Sequence, residues 1–396
     1  MSEAPARQRG YADAHPSIRI SAKRFRFSPF AASYARPETV WGVYSGRLYA
    51  LGLGDDPVAA YRRLRRDAVL YDVPEHPVEI AGPQATHLLQ RLFCRRIDTL
   101  AVGRARYAIA CRHDGGILMD GILLRLAEDR FWYVLADGEF LPWLDAQAAG
   151  LEVAIRDPDS SILQVQGPRA FEVLAALWEP EAARALPYFH VRPCRVAGLP
   201  LLVSRTGWTG EMGFELYSEG ALSETEGARL WQAILAAGRP LGLEASGLDS
   251  MGVRRIEAGI LDNGTDMNPS MTPWAAGLGA FVDLEAGDFI GRDALAAADR
   301  RPRLLGLACR EATPLAGMAL QMAGRRVGRV TAGGWSPTLG HGVGYACFDV
   351  PGDWLGTALE LIDREGRAHA AGIVPLPFFD REKRIPRGLP PAAEES

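Results

Sequence analysis

The chain has 396 residues, of which 48% are hydrophobic and 23% charged, and a formal net charge of −4. That balance is the one of a folded globular protein of two or three domains and excludes a disordered or fibrous chain. Lys and Arg are scattered rather than concentrated, which removes the electrostatic footprint of sequence-independent nucleic-acid binding and leaves small molecules as the expected partners.

Residues 1–20 mix Pro, Ala, His and charge without a period and read as a flexible tail. They lack the apolar core of a secretion signal, and no apolar run reaches bilayer length, so no membrane partner is expected. The five cysteines, Cys94, Cys111, Cys194, Cys309 and Cys347, are odd in number and widely spaced. With no Cys-x-x-Cys pair they suggest neither zinc nor a disulfide framework, and a cytoplasmic location fits best.

The first strong local signal is Val78-Glu79-Ile80-Ala81-Gly82-Pro83-Gln84-Ala85, and it recurs as Ile162-Leu163-Gln164-Val165-Gln166-Gly167-Pro168-Arg169-Ala170. Each is a short apolar strand that meets Gly-Pro and then apolar residues at helical spacing: Leu88, Leu89 and Leu92, then Phe171, Val173, Leu174 and Leu177. Gly supplies the turn, and Pro suits a helix's first turn because its missing N–H is not needed there. Two strand-to-helix units are predicted, and their repetition suggests two related α+β lobes, with coincidence over a dozen residues as the alternative. Strands at Gly121–Leu126, Phe131–Ala136 and Pro200–Ser204 follow at hairpin-like spacing and imply antiparallel sheets. A helix fits Gly247–Gly259, where Leu248, Met251, Val253 and Ile256, continued by Ile260, make an apolar stripe. From about Arg301 the pattern becomes β-rich and Gly-punctuated, which predicts a separate all-β domain over residues 301–386 after a bilobed region over 21–300. Residues 387–396, with their Pro-Pro pair, read as a second flexible tail. No Gly-x-Gly-x-x-Gly sits between a strand and a helix and no Gly-x-x-x-x-Gly-Lys-Ser/Thr occurs, which favours group transfer over redox chemistry.

The stretch Ser204-Arg205-Thr206-Gly207-Trp208-Thr209-Gly210-Glu211-Met212-Gly213-Phe214-Glu215-Leu216-Tyr217 resembles the signature of the aminomethyltransferase family, whose founder is the T-protein of the glycine cleavage system. Asp114-Gly115-Gly116-Ile117-Leu118-Met119-Asp120, Arg255-Ile256-Glu257-Ala258-Gly259, Phe289-Ile290-Gly291-Arg292 and Thr331-Ala332-Gly333-Gly334-Trp335-Ser336-Pro337-Thr338-Leu339 accompany it in the family's order, so the resemblance spans roughly residues 25 to 380. It implies an α+β fold: a three-domain cloverleaf of two antiparallel-sheet α+β lobes and a C-terminal β-barrel around a central folate funnel. Two departures touch the expected active centre. The T-protein usually has Asp-Val-Ser-His-Met-Gly where this chain has Asp72-Val73-Pro74-Glu75-His76-Pro77, and an Asp pair where this chain has Met119-Asp120. Phe27-Ser28-Pro29-Phe30, Trp41-Gly42-Val43-Tyr44-Ser45 and Val102-Gly103-Arg104 look more like the folate-dependent demethylases, dimethylsulfoniopropionate demethylase among them.

The resemblance implies tetrahydrofolate as cofactor and a small methylated organic substrate, with methyl transfer to N5 and no obligate protein partner. A glycine-cleavage aminomethyltransferase and a non-catalytic folate-binding or RNA-modification accessory protein stand as alternatives. A reduced pterin presents its 2-amino group and N3–H as parallel donors that a carboxylate accepts in a bidentate pair. Glu215 occupies the family's pterin-binding position, although its residue type alone favours a solvated glutamate on an alternating strand. Trp208 and Tyr217 match aromatic positions near cofactor, and Trp208 near substrate as well; an aromatic face stabilises a methylated cation by roughly 0.5–2 kcal/mol, with packing as the alternative for both. Asp120 matches the second member of the family's Asp pair and is the candidate catalytic residue, with a turn position as the plain reading. Arg255 is expected to hold a carboxylate of the folate tail or substrate, or else to pair on the surface with Glu257 or Asp249. Tyr107 and Asp266 complete the substrate set, with a core aromatic and an Asn-Gly turn as their alternatives. His76 and His113 have no partners at ligand spacing, so no metal is assigned.

Overall fold

The computed structural model describes residues 21–392, and the tail expected over residues 1–20 lies outside them. Two sheets make the bilobed part. One orders Ala105–Cys111, Ile117–Ala127, Arg130–Leu135, His76–Ala81 and Ala154–Arg156, all antiparallel. The other orders Val191–Val196, Leu199–Ser204, Gly213–Ser218, Ile162–Gln166, Val69–Val73 and Glu244–Ala245, antiparallel except for the short last strand. The chain begins the six-stranded sheet at Val69, leaves it after Val73 to build the whole five-stranded sheet, and rejoins it at Ile162. Arg47, from a small three-stranded sheet of Arg26–Phe27, Arg47–Gly52 and Val40–Tyr44, donates to the carbonyls of Glu75 (3.5 Å) and Ser160 (2.9 Å) and so ties both crossings together.

Alternation along the strands decides what each face meets. Phe214, Leu216, Leu163 and Val165 turn outward onto a core closed by the helix Glu224–Gly238, through Leu230, Trp231 and Ile234. Tyr217, Ile162, Tyr71 and Val73 turn inward and pack against Leu124, Trp132 and Val134 of the other lobe. The inner faces of the two lobes therefore form one seam, and polar residues on those faces are candidates for function.

The repeated Gly-Pro signal is a repeated turn. Gly82 (φ 140°) and Gly167 (φ 129°) hold backbone conformations closed to other residues, and a Cβ there would meet the carbonyl oxygens of Glu152 at 2.4 Å and Asp67 at 2.5 Å. Each Gly carbonyl accepts the N–H three residues on, at Ala85 and Ala170, so Pro83 and Pro168 sit inside a β-turn rather than in the first helical turn expected for them. The helices start just beyond, as Ala85–Leu92 and Ala170–Ala175. Gly167→Ala is expected to lower the free energy of unfolding by at least roughly 1–3 kcal/mol from backbone strain alone, a loss that urea titration would read.

The helix expected over Gly247–Gly259 forms as Asp249–Glu257, and the β-rich end closes into a six-stranded barrel in the order Leu304–Cys309, His341–Phe348, Arg325–Ser336, Ala319–Met322, Ala358–Ile362 and Ala368–Val374. Leu307, Leu320, Val330, Phe348, Leu361 and Ile373 fill it. The expected α+β fold, two antiparallel-sheet lobes with a C-terminal barrel, is the one observed. Of the tail expected over residues 387–396, residues 393–396 lie outside those described; just before it Asp380 accepts the N–H groups of Arg384 and Ile385, and the Arg384 side chain donates to the Pro390 carbonyl at 2.8 Å. Among the described residues no helix is long and apolar enough to cross a membrane.

Candidate active site

Glu215 is on the inward face of Gly213–Ser218, opposite Gln164 on one neighbouring strand and Ser204 on the other. It is only 7% exposed, against the solvated position its residue type favours. Its Oε1 accepts from Gln164 Nε2 at 2.8 Å, and its Oε2 accepts from the Thr206 and Tyr217 hydroxyls. Burial raises its pKa, and the two hydroxyl donors pull it back. Tyr217 is fully buried, with its ring edge-on to Trp132. Tyr217, a residue expected at the cofactor, donates its hydroxyl to Glu215 at 2.5 Å, because alternation places residues two apart on one face.

A second carboxyl, Glu75, lies beside this group. Gln164 Nε2 is 3.5 Å from its Oε1, while Glu75 Oε2 and Gln164 Oε1 are buried without a hydrogen-bond partner. Burial, with the Glu215 charge next, pushes Glu75 up to about 8.

Asp120 faces the same seam from the other lobe. Met119, its neighbour, turns the opposite way into that lobe's own core with Leu123. Asp120 Oδ2 accepts from Tyr107 OH at 2.9 Å, and Oδ1 is buried without a partner. Burial is the largest cause that takes its pKa up to about 6, and the Asp262 charge adds to it. Tyr107 is half-buried and packs edge-on against Phe281, with ring centres 4.8 Å apart. Tyr44, from the small sheet, feels the charges of Glu75, Asp262, Asp120 and Asp137 together. It joins the two carboxyl clusters into one acidic, tyrosine-lined region.

The remaining expected residues form a separate group. The Arg255 guanidinium lies 5.1 Å from the Trp208 ring and 5.5 Å from the Tyr345 ring and forms an ion pair with Asp266. Asp266 also accepts from the Asp262 N–H at 2.9 Å and from Thr331 Oγ1 at 2.6 Å. Arg255, expected to hold a carboxylate of the folate tail or substrate, and Asp266, expected at the substrate, are thus engaged with each other, and Arg255 pairs with neither Glu257 nor Asp249. Their site is the packed junction of helix, loop and barrel, where a lone buried charge would be costly. Trp208 is half-buried against that arginine.

Sequence reading missed Glu75, Gln164, Thr206 and Tyr44. A signal existed for Gln164: two glutamines in the otherwise apolar run Ile162–Gln166 mark polar groups on a buried strand. It also missed Arg254, which is wholly buried and ion-paired with Glu211 at 2.7 Å and Glu257 at 3.5 Å. Among the described residues no three His, Cys, Asp or Glu side chains are grouped so as to hold a metal ion.

Residues 43–286 match the profile of the GCVT N-terminal domain, and residues 303–380 that of the glycine cleavage T-protein C-terminal barrel domain. An aminomethyltransferase of Streptomyces avermitilis is 38% identical over 334 residues, covering 81% of this chain and 88% of its own. The dimethylsulfoniopropionate demethylase of Ruegeria pomeroyi is 34% identical over 358 residues, covering 87% of this chain and 95% of its own. The crystal structure of the glycine cleavage system aminomethyltransferase T from Bartonella henselae superposes with a TM-score of 0.79 at 27% identity, covering 89% of this chain and 98% of that one.

Proposed function

The chain belongs to the glycine cleavage T-protein family, and on that premise we propose that it is a tetrahydrofolate-dependent one-carbon transferase whose donor is a small methylated cation. The observation that carries the reading is Glu215, a carboxylate held rigidly on the inner face of the seam by three donors. A pterin edge offers two parallel donors: one meets the lone pair left on Glu215 Oε1, and the other is to be taken by Oε2 in exchange for one of its two hydroxyl donors. Buried polar atoms normally have partners, and the orphaned Glu75 Oε2 and Gln164 Oε1 beside Glu215 fit the same edge. The residues present therefore suit the cofactor.

Bound tetrahydrofolate would supply a nucleophilic ring nitrogen that receives the one-carbon unit. The protein's part is alignment: Thr206, Tyr217 and Gln164 fix Glu215, and Trp208, which reaches from its contact with Arg255 to the apolar cluster of the seam, is proposed as an aromatic wall. Holding two reactants in attack geometry supplies roughly 7–11 kcal/mol of barrier reduction, enough without a strong base. Asp120, ionised at neutral pH and hydrogen-bonded to Tyr107, is placed to accept the proton released at the reacting centre.

The donor class follows from charge. Asp120, Asp262 and Asp137 make the region around Tyr44 acidic, and tyrosine faces with carboxylates attract a cation. A sulfonium or quaternary ammonium donor leaves as a neutral product and needs no acid, consistent with Met119 in place of the family's first Asp and with its side chain in the lobe core. The second reading, aminomethyl transfer from a lipoyl carrier, is favoured by the aminomethyltransferase relatives and is the arm against which the first is tested.

Purified protein incubated with tetrahydrofolate and a panel of sulfonium, betaine and methoxyaromatic compounds should form 5-methyltetrahydrofolate with a cationic donor. Turnover only with carrier-bound aminomethyl would establish the second reading, and folate binding without transfer from any donor would make the chain a non-catalytic binder. With the donor in hand, the acid limb of the rate profile is expected near pH 6, since ionised Asp120 is lost as pH falls through its raised pKa. Asp120→Asn should lower the rate about 10²–10⁴-fold and abolish that limb, as stopped assays from pH 5 to about pH 8 would show.

A further inference from the structure

Glu75 occupies the crossing between the two lobes. Val69–Val73 ends in the six-stranded sheet and His76–Ala81 begins in the five-stranded one, so Glu75 belongs to neither ladder. The crossing is held from outside: Arg47 donates to the Glu75 and Ser160 carbonyls, and His76 pairs with Asp157 at 2.9 Å. The Glu75 carboxyl turns to Gln164, whose Nε2 is shared between it and Glu215. The groups acting on it are Glu215 and Tyr217 of Gly213–Ser218, Asp72 of Val69–Val73, Tyr44 of Val40–Tyr44 and Arg47. The one cation in that set, Arg47, donates to main-chain carbonyls rather than to either carboxyl.

Two carboxyls that share a pocket without a cation between them, Glu215 buried and Glu75 half-buried with its Oε2 shielded from solvent, cannot both be ionised at little cost. The donors decide which one keeps the proton. Glu215 accepts three hydrogen bonds, all favouring its ionised form, whereas Glu75 has one long contact and an oxygen with none. We propose that Glu75 is a second cofactor-binding group of this pocket: as a neutral carboxylic acid it donates its O–H to a pterin acceptor beside the two edge donors gripped by Glu215, while Gln164 Oε1 accepts. The inference rests on the folate reading above and adds to it a carboxylic-acid donor at a position where the T-protein pattern has His. Burial and the Glu215 charge, which hold the group neutral up to about pH 8, agree with it.

The sign is fixed: the donor is present below that value and lost as pH rises through it. Calorimetric titration of 5-methyltetrahydrofolate into the wild type should show affinity falling about tenfold between pH 7 and about pH 9, as the competent fraction falls. Glu75→Gln keeps an N–H donor and cannot ionise, so it should bind within about threefold of wild type at pH 7 and lose the wild-type slope; the ligand's own titration cancels in that comparison. A protonated-carboxyl infrared band at neutral pH should be present in wild type and absent in Glu75→Gln. Equal slopes in the two proteins, or no difference in that band, would overturn the proposal while leaving the folate reading intact. Wild-type protein that binds no folate at any pH would overturn both.

Discussion

Glu215→Ala should weaken folate binding by about two to three orders of magnitude, or roughly 3–4 kcal/mol, because it removes two charge-assisted hydrogen bonds at once. The variant also leaves the Thr206 and Tyr217 hydroxyls and the Gln164 amide without their common acceptor. Glu215→Gln separates charge from shape: it keeps one acceptor but turns an NH₂ toward the pterin's donors, and a loss of about ten- to a hundredfold is expected. Calorimetry gives both values, and an unchanged circular dichroism spectrum assigns the loss to the site. The wild type has a companion acid limb. Burial raises the Glu215 pKa, so the gripping form is lost as pH falls through that raised value. With Glu75 failing above about 8, folate affinity should pass through a maximum between the two limbs.

Arg254→Met is expected to cost about 3–5 kcal/mol of stability, the range for breaking a buried ion pair by removing one partner. Arg254 is 0% exposed and lies between Glu211 and Glu257, which are themselves 3% and 0% exposed. The effect should be global, because the network joins the six-stranded lobe to the barrel. Glu211 precedes the Glu215 strand; Glu257 ends the helix Asp249–Glu257 and accepts from Tyr61 OH at 2.7 Å and from Ser336 Oγ of the barrel at 2.5 Å. Phe379, in the segment after the barrel, packs 5.7 Å from the Arg254 guanidinium. Arg254→Lys keeps the charge without the planar fork and should fall between wild type and Met. Differential scanning calorimetry would rank the three; equal transitions for wild type and Arg254→Met would show that the network adds no stability.

What could be read from the sequence divides along the reach of the contacts. The Gly-Pro turns, the strand hairpins and the apolar stripe of the helix Asp249–Glu257 are set by residues within a dozen of one another, and they appeared where expected. The sheet exchange at Pro74-Glu75 was not visible, since pairing Val69–Val73 with Ile162–Gln166 across an inserted lobe leaves no local mark. Glu215, Trp208 and Asp120 were singled out by resemblance; their residue types alone left each reading open. Arg254 and Arg255 show the limit best. The motif pointed to Arg255, yet adjacent positions on a helix face different ways, and it is Arg254 that the fold buries completely, through partners 43 residues away at Glu211 and an anchor at Glu257 that contacts Tyr61, 196 residues distant. Glu75 stood out only as part of a departure from the family pattern and had no role, because its significance is the proximity of Glu215, 140 residues later in the chain by their numbering, and of Gln164, 89 residues away.

The most direct test of the central claim is a crystal structure of the protein grown with 5-methyltetrahydrofolate. The pterin should lie at the seam with its 2-amino nitrogen and N3 each within about 2.7–3.2 Å of the Glu215 carboxylate. A pterin bound elsewhere on the molecule, or a seam with no ligand density at saturating cofactor, would contradict it.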